Sequence, residues 1–132
     1  MTIQLLLVDD EKDFVEAMAK FLRIRQIDVK VAYNGVDALE LVNRNEFDVI
    51  VLDILMPGKN GIVTFREIRA IKPDVYIIIL SGHAQVDAAI ESVRLDAFDY
   101  LLKPLAPGDL YDKVQTAYQH KQLQQRRSLS QP

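Results

Sequence analysis

Short, wholly apolar runs alternate with longer stretches of helical period, and this alternation constrains the fold more than any other feature of the chain. Leu5-Leu6-Leu7-Val8, Val29-Lys30-Val31-Ala32, Val49-Ile50-Val51-Leu52, Val75-Tyr76-Ile77-Ile78-Ile79-Leu80 and Tyr100-Leu101-Leu102 read as five strands. Several are apolar at every position, the pattern of a strand buried on both faces. Between them, apolar residues recur at helical spacing: Phe14, Val15, Met18, Phe21 and Leu22; Leu39 and Val42; Ile62, Phe65 and Ile68; Val86, Ala89, Ile90 and Val93; Leu110, Val114, Ala117 and Tyr118. Five βα units in succession predict an α/β fold, a parallel sheet with helices on both faces joined by right-handed crossovers.

Local signals agree with this division. Asn34-Gly35 marks a turn before the second helix, Asn60 precedes the third, and Pro107-Gly108-Asp109 introduces the last. From about Gln119 the apolar period fades into a Gln-rich stretch ending in Arg126-Arg127-Ser128. The expected division is one domain over residues 1–122, with residues 123–132 a fraying helix end or the start of a linker.

Composition narrows the function. The net charge is −3 and basic residues are scattered, so the domain has no electrostatic footprint for direct nucleic-acid binding. Cysteine is absent, which excludes disulfides and thiolate metal sites. No apolar run approaches the ~20 residues that cross a bilayer, so no membrane contact is expected and the cytoplasm is the default location.

The polar residues that end the strands carry the chemistry. Val8 is followed by Asp9-Asp10, Leu52 by Asp53, Leu80 by Ser81 and Leu102 by Lys103. In an open parallel sheet these ends share one edge, where ligands bind near the reversal of strand order. Any one of them alone reads as a turn, a cap or solvated surface; the ordered set reads as a site. Three converging carboxylates repel unless a cation joins them. Oxygen ligands alone suit a hard ion, and so few carboxylates suit Mg²⁺. Asp53, ionised at neutral pH, can attack phosphorus to give an aspartyl phosphate. Lys103 and Ser81 can then neutralise and hydrogen-bond the phosphoryl oxygens.

These motifs resemble the response-regulator receiver family. Leu5 to Glu11 resembles its acidic opening, Val51 to Gly61 its phosphoacceptor loop, Ser81-Gly82-His83 its hydroxyl switch and Ala97 to Pro104 its final strand. The resemblance runs from about Ile3 to Tyr118. It implies a doubly wound, flavodoxin-like (βα)5 three-layer sandwich with strand order 2-1-3-4-5. It further implies that Asp53 accepts phosphate, that Asp10 and Asp53 bind Mg²⁺ directly with Asp9 acting through water, and that the Leu55 carbonyl adds a ligand. Ser81 and Lys103 would contact the phosphoryl group, Tyr100 would report the switch by its rotamer, and Lys103-Pro104 resembles a bond commonly cis in the family. Ser81 stands where Thr is common and keeps the donor. Asp96 stands where the family often has Gly, which implies a local cost. Leu55 and His83 occupy the positions that influence dephosphorylation.

On this reading the domain is a signalling module rather than an enzyme, beyond self-catalysed phosphotransfer and dephosphorylation. Its partners are a sensor histidine kinase and a downstream effector domain or protein, and a homodimer through the face of the fourth helix, fifth strand and fifth helix is compatible with the fold. Three rivals stay open. A phosphatase of the haloacid dehalogenase type resembles Asp-x-Asp at its nucleophile, whereas the residue two beyond Asp53 is Leu55. A flavodoxin-type domain would need a hydroxyl- and Gly-rich loop where Asp9-Asp10-Glu11 stands. A degenerate receiver acting as scaffold would normally have lost one of the acids or the lysine.

Overall fold

In a computed structural model, which describes residues 2–55, 61–82, 93 and 96–130, the five apolar runs pair as a single parallel sheet. The strands are β1 (Gln4–Val8), β2 (Asp28–Ala32), β3 (Val49–Asp53), β4 (Tyr76–Ser81) and β5 (Asp99–Leu102), in the order β2-β1-β3-β4-β5. The helices described are α1 (Lys12–Ile24), α2 (Gly35–Arg44), α3 (Gly61–Ile71) and a C-terminal helix, Pro107–Ser130. The helix expected from Val86, Ala89 and Ile90 lies outside the described residues, as do Asn60 and His83. Val93 alone of that segment is seen, buried in the core.

Successive side chains of a strand point to opposite faces, and the core divides accordingly. Leu5, Leu7, Val49, Val51, Ile78 and Leu80 meet Val15, Met18 and Leu22 of α1 and Leu110, Val114 and Ala117 of the C-terminal helix. Leu6, Val8, Ile50, Leu52, Ile77 and Ile79 meet Ala38 and Val42 of α2 and Phe65 and Ile68 of α3. Every residue of β3 is buried, because both neighbouring strands and both helical layers cover it. The edge strand β5 is only half-covered, and Leu102 is exposed.

Local chemistry places the helix ends. Asn34 caps α2, its side-chain oxygen accepting the Asp37 N–H at 2.8 Å while its amide donates to the Asp37 carboxylate at 3.0 Å. The C-terminal helix starts at Pro107 itself, where the missing N–H costs no helical bond. It continues through the Gln-rich stretch to Ser130, with Leu123 and Leu129 exposed. Among the described residues no helix is long and apolar enough to cross a membrane.

Candidate functional site at the carboxyl edge of the sheet

Strand register brings the polar ends to one level. Val8 pairs with Leu52, Asp53 with Leu80 and Ser81 with Leu102. The ladder then runs past the strand ends: Asp9 donates to Ala32 O at 3.1 Å, Ile54 to Leu80 O at 3.1 Å, and Lys103 to Ser81 O at 2.8 Å. Asp9, Asp53, Ser81 and Lys103 are therefore fixed by backbone pairing. The Lys103-Pro104 peptide is cis.

Asp9, Asp53 and Ser81 are all buried, an expensive position for two carboxylates. One ligand atom from each of Asp9, Asp10 and Asp53 lies within 4.8 Å of the others. The Lys103 ammonium lies 2.6 Å from Asp9 Oδ2, 2.8 Å from Glu11 Oε1 and 3.3 Å from Asp53 Oδ2. The Phe14 ring flanks it, 4.7 Å from Nζ to the centroid. Asp53 Oδ1 accepts the Leu55 N–H at 2.9 Å, and Asp9 Oδ1 the Glu11 N–H at 3.0 Å.

The electrostatics follow from this packing. Burial pushes the Asp53 carboxyl up from its ordinary 3.8 to about 6; the Leu55 N–H opposes the rise, the Asp9 charge adds to it, and Lys103 opposes it. Burial works to lower the Lys103 ammonium, but hydrogen bonds to Asp9 and Glu11 and the charges of Asp53 and Asp9 outweigh it and hold the group above its usual range. Three carboxylates, Asp9, Glu11 and Asp53, thus face one ammonium, and Asp10 joins Asp9 and Asp53 in the acidic cluster. The surplus of negative charge, and the all-oxygen donor set, fit a hard divalent cation among Asp9, Asp10 and Asp53.

Tyr100 lies on β5, half-buried against the Leu6–Ile79 face of the core. Leu55 is exposed beside Asp53. Two contributors lie within the motifs quoted from the sequence but carry no role in that reading of the site. Glu11 is the first; it follows the expected acidic pair but has no assigned role there, and its partner is 92 residues away. Gly61 is the second. A Cβ at Gly61 would come within 2.2 Å of Ile54 Cα and 2.5 Å of Asp53 O, so only glycine lets α3 seat against the backbone that carries Asp53. Its N–H donates to Ile54 O at 3.2 Å. Asp96 is tied down by Arg69, which donates to its carbonyl at 3.3 Å and approaches its carboxylate at 3.6 Å.

A five-stranded parallel sheet of this order, with an acidic cluster, a buried hydroxyl and a lysine along its carboxyl edge, is the architecture of a class of signalling domain. The chain belongs to the response regulator receiver domain family, whose model matches residues 5–115. It is 35% identical over 118 residues to the transcriptional regulatory protein ZraR of Salmonella typhimurium, covering 89% of this chain and 27% of that protein. The chain therefore spans about a quarter of that relative's length. The receiver domain of Francisella response regulator 1452 superposes with a TM-score of 0.82 at 32% identity, over 91% of this chain and 99% of that one. NtrX from Brucella abortus superposes with a TM-score of 0.90 at 26% identity, over 99% of this chain and 30% of that one. The expected family and fold are both borne out.

Proposed function

We propose that this receiver domain takes a phosphoryl group from the phosphohistidine of a sensor histidine kinase onto Asp53. The observation that carries the reading is the pairing of a buried Asp53 carboxylate with the Lys103 ammonium at the carboxyl edge of β3. An Asp53 oxygen attacks phosphorus, the P–N bond to the kinase histidine breaks, and the imidazole departs with the electron pair and takes up a proton. Lys103 and the Ser81 hydroxyl meet the phosphoryl oxygens, where negative charge accumulates in the transition state. Mg²⁺ held by Asp9, Asp10, Asp53 and the Leu55 carbonyl would supply charge neutralisation for the same oxygens.

The product adds about −1.5 to −2 charges at the sheet edge. Ser81, drawn toward it, opens space that Tyr100 fills, and the face around β5 and the C-terminal helix shifts population between two packings. Output then passes to an effector domain or partner, as the transcriptional regulators among the relatives suggest. Within that scheme the domain makes no direct nucleic-acid or membrane contact, works in the cytoplasm and can pair with a second copy through the switching face. Residues to about 122 form the receiver unit, and the rest of the C-terminal helix begins a linker.

The rival readings have less support. Exposed, apolar Leu55 cannot act as the general acid of a dehalogenase-type phosphatase. A flavin phosphate would be repelled by the acids after β1, and a scaffold has no need of an intact carboxylate–lysine set. Incubation with a small acyl phosphate tests the proposal. Intact mass should rise by one phosphoryl group with Mg²⁺ and stay unchanged with a chelator or in Asp53→Asn. No gain from either the acyl phosphate or a competent kinase would refute it.

A further inference from the structure

Glu11 breaks a local rule. It is the N-cap of α1, a position where Ser, Thr, Asp and Asn are favoured because their short side chains reach the free N–H groups of the first turn. Its side chain makes no such bond. The carboxylate instead turns to the far end of the chain and accepts from Lys103 Nζ at 2.8 Å, closer than Asp53 at 3.3 Å. A local rule broken in favour of a distant charged partner marks a functional constraint.

The ammonium has three donors and no more, and here it faces three carboxylates, Asp9, Glu11 and Asp53. Phosphorylation turns the Asp53 carboxylate into an acyl phosphate whose oxygens take over its contact, so they draw the ammonium closer only as Asp9 or Glu11 loosens its hold. Asp9 is buried and belongs to the cluster fit for a cation. Glu11 stands outside that cluster with its side chain 62% exposed, so water can replace Lys103 as its partner. Glu11 is the one that yields.

Building on the reading of Lys103 as the phosphoryl contact, we infer that Glu11 is a positioning residue that competes with the phosphoryl group for Lys103. It keeps the ammonium parked toward α1 in the resting domain and thereby sets how strongly the phosphorylated state is held. Glu11→Gln keeps the size of the side chain and removes the charge that holds Lys103. Glu11→Asp keeps the charge but is one methylene shorter and cannot hold the ammonium as closely.

Beryllium trifluoride, an anionic mimic of the phosphoryl group, gives an equilibrium readout when titrated into the whole chain with saturating Mg²⁺. Glu11→Gln should bind it roughly two- to fivefold more tightly than wild type, the range that an exposed ion pair commands. Glu11→Asp should fall between. In a Lys103→Gln background the Glu11→Gln change should have no effect, because the competition acts through that ammonium. An equal gain in that background would mean simple removal of a nearby negative charge and would overturn the inference. So would unchanged or weaker binding by Glu11→Gln in the native background while wild type binds the mimic. Wild-type protein that fails to bind it at all would overturn the acceptor reading as well.

Discussion

Asp53 sits where a carboxylate is costly, and its protonation links the resting site to stability. The folded chain takes up this proton near pH 6, the unfolded chain near 3.8. The folded state therefore binds more protons between those values, so the charged-state penalty is complete above about pH 6 and vanishes below about pH 3.8. In metal-free solution at pH 7.5, Asp53→Asn should be more stable than wild type by up to about 3 kcal/mol, the size that such a shift implies. Urea denaturation at pH 7.5 and at pH 4 checks this: the difference should shrink toward zero at the lower pH, and a constant difference would contradict the assignment. Mg²⁺ should raise the melting temperature of wild type and do so far less in Asp53→Asn or Asp10→Asn, since each variant removes one carboxylate of the cluster.

At the scale of elements, the site depends on how closely α3 and β3 approach. Gly61→Ala must move the Ile54 backbone or the helix, because a Cβ has no space there. A destabilisation of about 1–3 kcal/mol is expected from such overpacking, together with slower phosphorylation, as the displaced backbone carries Asp53. Wild-type stability and rate in that variant would show that the contact is not limiting. Asn34→Ala, by contrast, should cost about 1 kcal/mol for the lost cap of α2 and leave phosphorylation unchanged. These two positions also show what could be read from sequence. Strand order in the chain and the polar residue after each strand were legible because parallel pairing turns sequence position into position along one edge. Asn34 was legible because its chemistry is local. Glu11 and the tightness around Gly61 were not, since the first contact spans 92 residues and the second is a matter of ångströms between backbones. The helicity of the Gln-rich stretch was obscured for another reason. Its apolar period fades, yet Gln, Lys, Arg and Leu favour helix by intrinsic propensity.

Across the molecule, the sheet does two things at once. Its two apolar faces hold four described helices in place, and its carboxyl edge gathers the charges that the core excludes. Binding energy gained at that edge can reach the surface through β4 and β5, because Ser81 and Tyr100 lie on adjacent strands and Ser81 pairs with Leu102. All of this rests on Asp53 being the atom donor that meets phosphorus. Site-resolved mass spectrometry of the chain after Mg²⁺-dependent phosphorylation tests that directly. The phosphoryl group should be found on the peptide that carries Asp53, on that residue alone, and should be labile to hydroxylamine as an acyl phosphate is. A stable modification on Ser81 or another hydroxyl, or an acyl phosphate on Asp9 or Asp10, would contradict the account.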